Sequence, residues 1–206
     1  MKAVLVNYNY DPIWLRDYPE LEVTMYDRSD DGIERNLEQY GDIIKTPNIG
    51  NVDYDRLGWL VENYYNLPDV FLWSKSNLFK YISKEEFDFV KSRKEFTPLL
   101  TQDHTPRKDH KGVLSFYEDG MYHERADTHL YGSWVGHRTW REWAQFFHLP
   151  TEEYVPFAPG GNYVLTREAV HKQPQILYHT MRMMLPYSTL PGEAHLCERS
   201  YYLLWK

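Results

Sequence analysis

Four short strand-like runs in the first 73 residues, each stopped by a polar or turn-forming residue, set the strongest limit on how this chain folds. Ala3-Val-Leu-Val6 gives way to Asn7-Tyr-Asn-Tyr10, and Leu21–Tyr26 alternates and stops at Asp27. Asp42-Ile-Ile-Lys45 is broken by Pro47-Asn-Ile-Gly50, and Val70-Phe-Leu-Trp73 leads into Ser74-Lys-Ser-Asn77. Short apolar runs bounded by such residues are strands. Between the third and the fourth, Leu57, Leu60, Val61 and Tyr64 recur at helical spacing, so residues 53–65 read as an amphipathic helix. Strands alternating with helices imply a mainly parallel sheet with helices on both faces.

Further along, Ser83 with Glu86 and Thr139 with Glu142 are capping boxes that open helices running to about Arg93 and Phe147. Residues 112–125 alternate around Glu118-Asp-Gly120, a hairpin inserted into the α/β pattern. Pro174 suits the first turn of a helix to Leu185, and 193–205 forms a last helix with Ala194, Cys197, Tyr201 and Leu204 on one stripe. The fold expected is therefore a single α/β domain with a Rossmann-like, mixed but mainly parallel sheet flanked by helices and carrying an inserted β-hairpin.

Composition narrows the partners. Lys and Arg total 23 against 30 Asp and Glu, a formal net charge of −7, which argues against nucleic acid. Aromatics reach 17%, with 18 Tyr and 7 Trp, an excess that suits stacking on bases or sugar rings or, equally, a Tyr-rich surface. The one cysteine, Cys197, forms no intrachain disulfide and fits a reducing compartment, so a soluble, cytoplasmic protein is expected. The four apolar residues in Met1–Asn7 before polar ones resume are too few for a signal peptide or a membrane span.

Open sheets bind ligands beyond the carboxyl ends of their strands, which points to Asn7–Tyr10, Asp27, Asn48–Asp55, Trp73–Asn77 and Gly160–Asn162. Asn7, Tyr8, Asn9 and Tyr10 have the chemistry to hold a base, or the tyrosines merely cover the sheet edge. Gly160-Gly161 before an apolar run marks a turn where backbone approaches a ligand. Asp53-Tyr-Asp55 is a literal Asp-x-Asp, placed at a helix start where acids also favour the helix dipole. His195 and Glu198 share a helix face, with Glu193 just before them; the triplet is a candidate site or a helix start with an exposed pair. Asp103, His104, His110, His123, Glu124, Asp127 and His129 form a polar cluster without metal-ligand spacing, with Trp134, Trp140 and Trp143 nearby. Arg167 and Lys172 are candidates for phosphate, or Arg167 for a surface ion pair.

The run Ala158-Pro-Gly-Gly-Asn-Tyr-Val-Leu-Thr-Arg-Glu-Ala-Val170, followed by Pro191-Gly-Glu-Ala-His-Leu-Cys-Glu-Arg-Ser-Tyr201, resembles the last third of GT-A-type glycosyltransferases. Pro47-Asn-Ile-Gly-Asn-Val-Asp-Tyr-Asp-Arg56, Tyr64-Tyr-Asn-Leu-Pro-Asp69, Pro159–Glu168 and Glu193–Arg199 together resemble the DUF3431 family, in an order that covers most of the chain. Small chlorella-virus glycosyltransferase domains are similar in length. The resemblance implies a GT-A-like fold and transfer of a sugar from a nucleoside-diphosphate sugar, UDP-linked, to a carbohydrate or glycoprotein acceptor, in the host cytoplasm if viral. It implies a nucleotide-binding half at about 1–100, contributing Asn7, Tyr8, Asn9, Tyr10, Asn48, Asp53, Arg56, Lys75, Ser76 and Asn77. The acceptor half, about 101–206, contributes Gly160, Gly161, Asn162 and Trp134, with Glu193 as general base and His195 as a metal ligand or diphosphate contact.

GT-A enzymes commonly place an acidic motif after an apolar strand to hold Mn²⁺ or Mg²⁺. Here that place is Ser74-Lys-Ser-Asn77, without an acid. Either Lys75 supplies the positive charge or carboxylates elsewhere hold the metal. A metal-dependent hydrolase and a carbohydrate-binding module without chemistry are the alternatives.

Overall fold

The computed structural model describes residues 1–100, 106–127 and 139–206. Strands β1 (Lys2–Asn7), β2 (Glu22–Asp27), β3 (Asp42–Lys45) and β4 (Val70–Lys75) run parallel in the order β3-β2-β1-β4. Ala3 and Leu5 of β1 enter the core on one face of the sheet, Val4 and Val6 on the other; Leu72 of β4 is likewise opposed to Phe71 and Trp73. Strands buried on both faces have no polar side, which is why they read as continuous apolar runs. Helix α1 (Asn51–Asn63) crosses from β3 to β4 and tightens into a 3-10 turn at Tyr64–Asn66. It starts two residues before the apolar spacing implies, because Gly50 at φ +70° turns the chain into it; a Cβ there would stand 2.5 Å from that of Tyr54.

The sheet is completed from later in the chain. Strand β5 (Thr97–Pro98) is its far edge, and β10 (Tyr163–Thr166) lies between β4 and β5, antiparallel to both. A six-stranded, mainly parallel sheet flanked by helices results, as expected, but its two sequence halves interleave.

Helix α2 (Lys84–Val90) and helix α3 (Trp140–Phe146) each begin at a complete capping box, on Ser83 and on Thr139. The expected hairpin is present as β7 (Gly112–Glu118) and β8 (Met121–Arg125), with Asp119 and Gly120 both at positive φ in the turn. It is part of something larger: β6 (Arg107–Asp109) and β9 (Tyr154–Phe157) extend it to a four-stranded antiparallel sheet. The register Tyr122↔Phe157 joins residues far apart in sequence, and local turn signals carry no trace of it.

Helices α4 (Arg167–His171) and α5 (Gln175–Met183) lead to α6 (Gly192–Trp205), which lies between the two sheets and touches α1, α3, α4 and β9. Its buried stripe is the expected one, with Tyr201 and Trp205 stacked at 4.7 Å and both edge-on to Trp73. Among the described residues, no helix is long and apolar enough to cross a membrane.

Candidate functional site at the strand ends

Parallel strands all end on one side of a sheet, and their carboxyl ends here surround one cleft of about 400 Å³. Tyr8 follows β1, Arg28 follows β2, Asn48 follows β3, and Lys75, Ser76 and Asn77 close β4; all line it. Asn51 and Val52 contribute the start of α1, Tyr81 one rim and Thr189–Leu190 the opposite wall. The place is the switch point of the sheet, where connections from β1 and to β4 leave in opposite directions.

Two kinds of residue meet at these ends. Asn7 is fully buried and ties the strands together: its amide donates to Asp27 at 3.0 Å and accepts from the Ser76 hydroxyl at 2.6 Å. Lys45 also donates to Asp27. Although burial raises the Asp27 carboxyl, hydrogen bonds from Lys45, Ser29 and Asn7 outweigh it and hold the group below its ordinary range. Asn9, at φ 53°, and Asn48 both donate to Asp30, which lies low for that reason. Tyr8, in contrast, is half exposed, and Lys75 lies over the Tyr81 ring at 5.4 Å. Tyr10 packs on the apolar cluster beside Lys80 and does not line the cleft.

Asp53 and Arg56, expected as nucleotide contacts, are instead buried behind the cleft. Arg56 donates to Asp53 at 2.8 Å and to the Gly161 carbonyl at 2.6 Å, under the Trp73 ring; Tyr201 also donates to Asp53 at 2.7 Å. The network pins α1 to the Gly160-Gly161 turn. There φ is +88° and +62°, and a Cβ would meet Tyr81 at 2.6 Å or Arg56 at 2.8 Å. Asn162 is buried too; its carbonyl accepts from the Lys75 amide at 2.9 Å and the Ser74 hydroxyl at 3.1 Å. The turn therefore supports the cleft wall and aims Lys75 and Tyr81 into it.

Arg28 was invisible to motif reading, although it stands one residue beyond a strand end, as Tyr8 does. It is almost fully buried, with Nε 3.2 Å from Asp55 and a further bond to the Ile49 carbonyl. Burial pushes the Asp55 carboxyl up to about 6, with Arg28 and the Thr46 hydroxyl pulling the other way. The literal Asp53-Tyr-Asp55 is thus spent on two buried arginines.

The amides at the start of α1 are committed: Gly50 and Asn51 donate to Ser188 and Thr189, and Val52 to the Asn51 side chain. A helix end whose first amides are occupied offers an anion little. The positive charge at the cleft comes from Arg28 and Lys75.

Glu193, expected as a base, is fully buried, receives a hydrogen bond from Tyr187 and does not line the cleft. His195 is half-buried; burial lowers its pKa, opposed by Glu198 and Asp53, so it is neutral at pH 7. Glu198 accepts from the Gly160 amide at 2.7 Å and pairs with Arg199, linking the two motifs of the last third of the chain. Among the described residues no three His, Cys, Asp or Glu side chains gather as a metal site. The acids facing His195 are engaged, Asp53 by Arg56 and Tyr201 and Glu198 by Gly160 and Arg199, so these donors do not fit a divalent cation.

In the mid-chain cluster, Glu124 is ion-paired to Arg199 at 2.6 Å, His123 stacks on Phe116 and Asp127 pairs with Arg125. Asp103, His104, His129 and Trp134 lie outside the described residues. Arg167 pairs with Asp69 at 3.1 Å, the surface ion pair that is one of its two expected roles. Compared with family models, curated proteins and solved structures, the chain matches none.

Proposed function

We propose that this chain is a glycosyltransferase with a GT-A-like arrangement, moving a sugar from a UDP-linked donor to a carbohydrate or glycoprotein acceptor. The observation that carries the reading is the single cleft at the ends of β1, β2, β3 and β4, which gathers Arg28, Lys75, Tyr8 and Tyr81 in a chain of net charge −7. The lining carries Lys75 and Arg28 and no carboxylate, although Arg28 is paired to Asp55 behind it; this favours an anionic ligand, and the tyrosines favour one with a ring to stack. In this reading Tyr8 takes the base, Arg28 and Lys75 balance the diphosphate as it leaves, and Asn48 and Asn77 supply polar contacts. The side-chain-free Gly160-Gly161 turn lets Tyr81 and Arg56 pack closely behind the cleft wall and so fixes Tyr81 at its rim.

No lining side chain is an evident base. Glu193 takes that role only if Tyr187 releases it. Loss of turnover at unchanged donor affinity in Glu193→Gln supports the role; full turnover leaves Glu193 as a brace for the 186–190 wall.

Calorimetric titration with UDP and UDP-sugars, with and without Mn²⁺, tests the whole reading. Nucleotide binding is expected, weakened roughly tenfold or more by Lys75→Ala or Arg28→Ala, the loss of one charge-assisted contact. Absence of nucleotide binding in both conditions overturns it, metal binding alone points to the hydrolase, and sugar binding alone to the binding module.

A further inference from the structure

A second concavity lies away from the cleft. Cavities of about 520 and 220 Å³ open beside the β7–β8 turn, and both are lined by Asp119, Met121, Tyr202 and Lys206, so they form one trough. The smaller has Trp140 and Met121 as a buried floor, with His123 and Tyr154 as half-buried walls and Glu152 exposed on the rim. The larger is walled by Phe96 and Tyr117, with Glu86 at its far end.

We infer that this trough binds a neutral oligosaccharide, the body of an acceptor whose end is worked on in the cleft. A sugar ring presents an apolar C–H face and a belt of hydroxyls. Aromatic walls suit the first, and carboxylates and an imidazole suit the second. Together the two cavities fall within the roughly 300–1,000 Å³ usual for small-ligand sites.

Other occupants fit worse. An extended peptide recognised by strand addition needs a free sheet edge, yet β7 and β8 are each paired on both sides, and the two edge strands that line the trough, β5 and β9, carry Pro98 and Pro156, which have no N–H. Phosphate-bearing ligands meet Glu86, Asp119 and Glu152, against Arg93, which Glu95 already engages, and Lys206.

Naming the ligand an acceptor rests on the transferase reading; binding itself does not. The probes are the hexasaccharides of the malto, cello, manno, xylo and chito series, titrated into the full chain while tryptophan fluorescence reports on Trp140. One or more should bind, and Glu152→Ala and Asp119→Asn should each weaken binding at least fivefold while UDP affinity is unchanged. Both side chains are exposed, and Asn keeps the positive φ of the turn, so folding is preserved. Failure of all five chains to bind overturns the proposal, as does wild-type affinity in both variants or an equal loss of UDP affinity. Oligosaccharide binding without UDP binding upholds the trough and removes the transferase.

Discussion

The two sheets answer the same problem in opposite ways. In the parallel sheet β1, β2, β3 and β4 all end on one side, so the polar residues that stop each strand are brought together and a concave, charged site follows from topology. In the antiparallel sheet strand ends alternate between the two sides, and its concavity arises where a turn and a face meet α6. Each sheet is also fastened by a buried arginine. Arg56 joins α1 to the Gly161 turn through Asp53, under the Trp73 ring. Arg199 joins α6 to β8 through Glu124, over the Phe157 ring. The first sits in the centre of the core and the second at its margin.

That difference predicts the largest effect. Arg56→Met leaves Asp53 buried without its cation and should cost about 3–5 kcal/mol, read as a lower urea midpoint for the whole molecule. Arg199→Met strands Glu124 in the same way, but its damage should stay local: amide exchange should quicken in 112–125 and 154–157 while β1 and β4 keep their protection. Equal loss of protection in β1 and β4 would show that the sheets unfold as one unit and would break the comparison.

A smaller effect separates the concavities by charge. Asp55, the partner of Arg28, carries a carboxyl pushed up to about 6, above its ordinary value of 3.8. A raised folded-state pKa means that the native state holds the proton more tightly. The stability it contributes is present below the ordinary carboxylate range and is lost as pH rises through 6. Below pH 6 the neutral Asp55 leaves the Arg28 charge uncompensated, so affinity for a UDP-sugar, whose diphosphate keeps its charge there, should rise roughly three- to tenfold from pH 7 to pH 5. In Asp55→Asn the step should vanish. A step that persists in that variant assigns the titration elsewhere.

Residues differ in how far the sequence alone revealed them, and the reason is range. β3, both capping boxes and the stripe of α6 were legible because each depends on neighbours within a turn or two. The ends of β1–β4 surround one cleft, since topology follows from the alternation of elements, but Gly160–Asn162, expected there as well, precede the antiparallel β10 and lie buried behind the cleft wall. Which side chain at each end faces the ligand was not legible. In Asn7-Tyr8 and in Asp27-Arg28 the first residue is locked into bonds between strands and the second lines the cleft, a division set by strand pairing. Asp53 and Arg56 were misplaced for the same reason: their partners Tyr201 and Gly161 are remote in sequence. The second sheet was undercounted because β9 follows its partner β8 only after a long excursion.

The smallest effect tests whether local rules ignore the sheet they serve. Ser83 and Thr139 make identical capping boxes, each accepting from the amide of a Glu that bonds back, at 3.2 and 3.3 Å. One opens α2, whose Phe87 packs on the outer face of the parallel sheet beside Trp14. The other opens α3, whose Trp143 donates to Ser200 of α6 at 2.8 Å, beside the antiparallel sheet. Replacing either hydroxyl by Ala strips the same bond from the same position and should cost about 1 kcal/mol in each case. If thermal unfolding shows penalties that agree within about 0.5 kcal/mol, within the usual spread for independent sites, helix starts are governed locally and the contrast between the sheets belongs to strand pairing alone. A markedly larger penalty at Thr139 would mean that α3 holds the antiparallel sheet in place, and that this sheet depends on a helix where the other is held by its own core.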